Sequence, residues 1–204
     1  PLPGLVNVQN AALALVMALR AGVPAATAVT ALAEAHNIPG RMQRITRRDG
    51  VRGTCIVDFA HTPDAMELAL EAVRQITPGR LIVVFGSDGD RDKGKRPLLG
   101  EIAAREADLL VVTDENPRHE VASEIRAEIL AGVRKVRPDF AGVEEITTCR
   151  ADAVRRCVEL AGPDDTVIVT GKGHEPYQEV GDEKIPYNDA PVMAAAVADK
   201  WGDK

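Results

Sequence analysis

Apolar residues change their spacing near position 40 of this chain. Before it, Val8 to Ala21 is rich in Ala and Leu and is closed by Gly22 and Pro24, which reads as a helix with an ordinary end. Ala25 to His36 predicts a second helix, and Ile38-Pro39-Gly40 breaks the pattern. Beyond it, short apolar runs recur at Cys55-Ile56-Val57, Leu81–Phe85, Leu109–Val112 and Thr166–Val169. Amphipathic stretches lie between them, at Asp64–Gln75, Pro97–Glu106, Ser123–Val136 and Ala151–Leu160. Strands apolar at every position belong to sheets buried on both faces. The expectation is therefore an α/β, Rossmann-like fold: a mostly parallel sheet of about six strands, helices on both faces, and a short helical segment in front. Two helices cannot bury a core of their own, so residues 1–39 are expected to belong to a neighbouring domain and residues 40–204 to form the second unit.

Composition narrows this little. A net charge of −6 and 3% aromatics give no electrostatic footprint and no stacking platform for nucleic acid. No apolar run approaches the roughly 18 residues of a membrane helix, and no signal peptide opens the chain. Cys55, Cys149 and Cys157 are unpaired in number and make no CxxC, so neither a disulfide framework nor a metal site is expected, and a reducing, cytoplasmic setting fits.

The chemistry sits where strands end. Val57 leads into Asp58-Phe59-Ala60-His61-Thr62-Pro63, and Phe85 into Gly86–Pro97. Val112 leads into Thr113–Glu120, and Val169 into Thr170-Gly171-Lys172-Gly173-His174-Glu175. In open α/β sheets ligands collect beyond the carboxyl ends of the strands. Gly89-x4-Gly94-Lys95 matches most of a phosphate loop, but Arg96 stands where the motif needs a hydroxyl, and Pro97 lacks an N–H. It reads as a mimic. The loops suit a zwitterion better: Arg91 and Arg118 offer forked donors to a carboxylate, while Glu115, Asn116 and Glu175 offer acceptors to an ammonium.

Taken in order, Gly40-Arg41-Met42, Asp58–Asp64, Gly89–Pro97, Asn116-Pro117-Arg118 and Gly171–Glu175 resemble the Mur ligase family. The likeness extends to Pro3–Ala11, which is similar to the last helix of the family's central domain. The resemblance implies an ATP- and Mg2+-dependent ligase of peptidoglycan synthesis. It joins a diamino acid, meso-diaminopimelate, to UDP-N-acetylmuramoyl-L-alanyl-D-glutamate through an acyl phosphate. By the same resemblance, Glu115, Asn116, Pro117 and Arg118 select the diamino acid. Arg91 contacts its carboxylate, and Gly171 and Glu175 receive its far amino-acid end. Asn10, Arg41 and Asp58 hold adenine and ribose, and His61 and Lys95 lie near the phosphates as catalytic groups. Glu115 stands where the family usually has Asp, so L-lysine and L-ornithine are alternatives. A non-catalytic amino-acid-binding module is the alternative of a different class. Because no complete phosphate loop occurs, ATP, Mg2+ and the UDP-linked substrate are expected to be held mainly by other domains, and this chain alone is expected not to turn over.

Overall fold

A run such as Leu81–Phe85 must be covered on both sides, and a sheet between two helical layers does that. A computed structural model describes residues 5–35 and 38–202 and has this form. Its main sheet runs β1 (Gln43–Thr46), β2 (Thr54–Val57), β6 (Thr166–Val169), β3 (Leu81–Phe85), β4 (Leu109–Val112), β5 (Val143–Glu145). The β1 strand is antiparallel to β2, and the other neighbours are parallel. Alternate residues along each strand point to opposite faces. Leu81, Val83 and Phe85 accordingly enter a core with α3 (Pro63–Arg74), α4 (Lys95–Glu106) and α5 (Ala122–Val136). Ile82 and Val84 enter a second core with α6 (Arg150–Leu160) and α7 (Asp189–Trp201). Each aliphatic side chain so buried contributes about 1.5–3 kcal/mol of transfer free energy.

Helix starts follow local chemistry. Thr62 caps α3 by accepting from Ala65 N, with Pro63 in the first turn. Asn188 caps α7 in the same way through Ala190 N. The α4 helix starts at Lys95, two residues before the expected Pro97, because Asp92 Oδ1 accepts from Gly94 N at 2.8 Å and turns the chain early. Five elements were not read from the pattern: β1, β5, α7, and the two strands of a hairpin, β7 (Tyr177–Val180) and β8 (Glu183–Pro186). Their residues are mixed in polarity, and β8 is exposed throughout.

The first two helices form as α1 (Leu5–Arg20) and α2 (Ala25–Ala33). The expected end of the second at His36 lies outside the described residues, as do Pro3 and Gly4. Val8, Leu13, Val16 and Met17 of α1 are exposed. No helix among the described residues is long and apolar enough to cross a membrane. Cys55 and Cys157 are buried and Cys149 is exposed, all as free thiols.

Candidate functional site

The four expected loops leave adjacent, parallel strands, so they meet along one edge of the sheet. The chain goes from β2 to α3 and from β3 to α4 on one face, whereas the segment after β6 ends in α7 on the other. Loops diverging to opposite faces from neighbouring strands open a crevice at that point.

The second and third loops are joined to each other. Gly89 N donates to Asn116 O at 2.8 Å, and a Cβ on Gly89 would overlap the Pro117 carbonyl oxygen. Asn116 is buried, and its Nδ2 donates to Asp88 Oδ1 at 2.9 Å and to Glu175 Oε2 at 3.3 Å. Its Oδ1 accepts from Lys172 Nζ at 2.7 Å and from Glu179 N at 3.1 Å. A side-chain amide has two N–H groups and two lone pairs, so Asn116 is fully engaged within the protein. It organises the site rather than offering a free group.

Arg118 is similar. At φ 49° it takes a left-handed backbone uncommon for a non-glycine residue. Its N donates to Glu179 O, and its own carbonyl accepts from Gly181 N, which docks the β7–β8 hairpin on the third loop. Its Nε donates to Glu179 Oε2 at 2.7 Å and its Nη1 to Gly89 O at 2.8 Å. Arg91 differs: it is exposed, and among the described residues it donates only to its neighbour's carbonyl, Asp90 O, at 3.4 Å. Of the two arginines, Arg91 is the one available to an incoming carboxylate.

Glu115 is 3% exposed, and its carboxylate lies so close to Gly171 that a Cβ there would overlap Oε2. Burial, reinforced by the Asp88 carboxylate, pushes the Glu115 carboxyl up to about 7 against the pull of Arg150, Lys95 and Lys172. Gly171 (φ 110°) and Gly173 (φ 54°) are both left-handed, which lets the fourth loop pass this close to Glu115 on one side and to Phe59 and Gly40 on the other.

The first loop is built from backbone contacts. Asp58 is buried, with Oδ2 accepting from Met42 N at 2.7 Å and Oδ1 from Ala60 N at 2.9 Å. Phe59 carries the Arg41 guanidinium over its ring at 4.4 Å, and the His61 ring meets its edge at 4.7 Å between centroids. His61 Nδ1 donates to Phe59 O at 2.9 Å, and Lys95 Nζ donates to His61 O at 3.1 Å, which ties the first loop to the second. Asn10 is exposed on α1.

The phosphate-loop mimic is occupied by its own structure. The N–H groups of Gly89, Asp90, Gly94 and Arg96 donate to Asn116 O, Glu120 Oε1, Asp92 Oδ1 and Lys93 O. Arg96 is fully buried and donates to Glu120, Glu128 and Asp88 O. A triphosphate with its Mg2+ does not fit donors so engaged.

Several groups here went unread. Arg150 and Asp189 form an ion pair at 2.9 Å with both side chains 0% exposed, and Arg150 Nη2 donates to Thr170 O at 2.7 Å. Tyr187 donates to Asp189 at 2.7 Å. Lys172 was visible inside the fourth loop but had no assigned part. Charges at helix starts look solvated in a sequence, and only the fold shows Arg150 and Asp189 facing each other across 39 positions.

A family model described as Mur ligase, glutamate ligase domain, matches residues 40–173. UDP-N-acetylmuramoyl-L-alanyl-D-glutamate–2,6-diaminopimelate ligase of Brucella melitensis biotype 1 is 47% identical over 199 residues, covering 97% of this chain and 39% of that protein. The ligase of the same name from Agrobacterium fabrum is 44% identical over 205 residues, covering 100% of this chain and 40% of its own length. A solved structure of a ligase with that name superposes at TM-score 0.73 with 36% identity, covering 98% of this chain and 40% of that one. UDP-N-acetylmuramate-alanine ligase from Thermotoga maritima, at 18% identity and TM-score 0.66 over 97% of this chain and 38% of its own, shares the fold. The chain thus spans about 40% of the length of the relatives it matches.

Proposed function

The chain belongs to the Mur ligase family, and on that premise we propose that it receives and orients the amino acid added by an ATP-dependent amide-forming ligase. The amino acid we propose is diaminopimelate, in its meso form, and the acceptor is UDP-N-acetylmuramoyl-L-alanyl-D-glutamate; the relatives' names pair that compound with 2,6-diaminopimelate. One observation carries the reading. Asp88, Asn116, Lys172, Glu175, Arg118 and Glu179 form one cross-bonded charged cluster, with exposed Arg91 on the loop that carries Asp88. A zwitterion with charges at both ends needs anions and cations held apart on separate loops, and groups set in advance lower the cost of binding it.

In this reading Arg91 takes a carboxylate, Glu175 an ammonium, and Glu115 with Gly171 closes the receiving wall. Pro117 and Asn116 keep Arg118 in place. Arg41 over Phe59 offers a flat cationic surface for a nucleotide base, with Asp58 behind it and Asn10 on the expected helix of the preceding domain, residues 1–39. His61 and Lys95 join the two flanks. ATP and Mg2+ are the family's phosphorylating pair; since the Gly89–Lys95 loop does not fit the triphosphate, other parts of the protein would hold it. The setting we propose is the cytoplasm.

The test is ATP-dependent ligation by the full-length protein offered meso-diaminopimelate, L-lysine or L-ornithine. A site that bonds a carboxylate rejects an analogue lacking it, so the latter two should be used at least about 100-fold less efficiently. Arg91→Ala should raise the KM for meso-diaminopimelate about tenfold and leave the KM for ATP unchanged. Equal use of L-lysine, or a shift in the ATP KM as large as that for the amino acid, would sink the assignment.

A further inference from the structure

We propose that Lys172 is a positioning residue for the incoming amino acid: its ammonium fixes the Asn116 amide and the Glu175 carboxylate in one arrangement before any ligand arrives. This rests on the amino-acid-receiving function proposed above.

Lys172 cannot itself be a contact. Its side chain is 0% exposed, whereas that of Glu175, 2.8 Å away, is 31% exposed. An ammonium stripped of water must be matched by protein acceptors, and here they are Glu175 Oε2 and Asn116 Oδ1, the latter at 2.7 Å. The left-handed glycines on either side of it, Gly171 and Gly173, pack against Glu115 and against Gly40 and Phe59. The Gly-Lys-Gly sequence thus lets the backbone pass close to the wall on both sides while the lysine between them is buried in the cluster.

Partners of one kind at each end decide how Asn116 is turned. Lys172 Nζ and Glu179 N only donate, and both meet Oδ1. Asp88 and Glu175 accept, and both meet Nδ2. Removing the ammonium leaves Oδ1 one donor and deprives Glu175, with Glu115 nearby, of a buried counter-charge. Glu175 would then be free to turn away from the crevice or to repel Asp88.

Lys172→Met in the full-length protein keeps the apolar stem and removes the charge. We expect the KM for the amino acid to rise about 10- to 100-fold while the KM for ATP stays within about twofold. In a Glu175→Gln background the same substitution should add less than about threefold, because Lys172, directly and through Asn116, acts on the ligand by way of the Glu175 carboxylate. Multiplicative effects, an equal shift in both KM values, or an unchanged amino-acid KM would each overturn the proposal. Should Lys172→Met not fold, Lys172→Gln retains a donor and should show a weaker form of the same split; without that split the proposal fails. Failure of the underlying function reads differently, since Glu175→Gln alone would then leave the amino-acid KM at its wild-type value.

Discussion

The two flanks of the sheet edge are built on different principles. On the β2 flank, side chains bond to backbone: Asp58 to Met42 N and Ala60 N, His61 to Phe59 O, with Arg41 lying flat on an aromatic ring. On the flank formed by β3, β4 and β6, charged side chains bond mainly to one another, from Lys172 through Asn116 and Glu175 to Asp88, and from Arg118 to Glu179. The first flank presents a flat surface of ring and guanidinium. The second holds ions at fixed separations with little water, where each is worth more and an unmatched one costs more. Such a division is what the proposed function requires, with a nucleotide base on one side and a zwitterion on the other.

Stability gives the harshest test of that contrast. Beneath the charged flank Arg150 and Asp189 are wholly buried against Thr170 O. Removing one member of a buried pair leaves an uncompensated charge, so Arg150→Met should cost about 3–5 kcal/mol. In a domain of this size that is on the order of 10 °C in Tm. Arg150→Met with Asp189→Leu should recover much of it, since an apolar pair carries no stranded charge. Asp58→Asn on the other flank keeps one acceptor and should cost only about 1–3 kcal/mol. Thermal melts of the variants decide it, and equal losses on both flanks would erase the distinction.

The charged flank should also be the pH-sensitive one. Glu115 titrates near 7 in the folded protein, against roughly 4.3 in an unfolded chain. The native state therefore holds a proton that the unfolded chain releases. That contribution is fully present below about pH 4 and is lost as pH rises through about 7. Glu115→Gln cannot ionise, so it should gain on the wild type by on the order of 3 kcal/mol between pH 4 and pH 8. Urea unfolding at several pH values measures this, and a constant difference would show that Glu115 is not the buried acid that sets the slope.

How much of this was legible depends on the kind of signal. Leu81–Phe85, Leu109–Val112 and Thr166–Val169 appear as strands at the predicted residues, because a strand covered on both faces is apolar at nearly every position. β5 and the β7–β8 hairpin left no such trace: Val143-Glu144-Glu145 pairs at an edge, and Glu183–Pro186 is exposed. The loops that gather at the edge were legible from their acids, bases and glycines. What each side chain does there was not. Arg91 and Arg118 look equivalent as letters, and only the hairpin docking on Arg118 separates an engaged guanidinium from an available one. Arg96 reads as a defect in a phosphate loop, whereas the fold sets Glu120 and Glu128 around it.

The gentlest probe of the charged flank is His119, at its solvent margin. Its Nδ1 lies 2.8 Å from Asp90 Oδ2 and its Nε2 3.1 Å from Asp182 Oδ1, so the ring links the second loop to the turn of the β7–β8 hairpin. A neutral imidazole has one N–H and cannot donate to both carboxylates, whereas the imidazolium can. The Asp90 hydrogen bond first, and then the Asp182 one, accordingly raises the His119 pKa above the ordinary histidine value. The link should be complete below about pH 6.5 and should loosen as pH rises through the raised value. Being exposed, it is expected to change hairpin opening locally rather than global stability. Amide exchange at Gly181 and its neighbours should therefore quicken with pH beyond the intrinsic rate, and His119→Gln should remove that excess. An NMR titration placing His119 at or below the free-histidine value would mean that this margin is held by backbone bonds alone, as the β2 flank is.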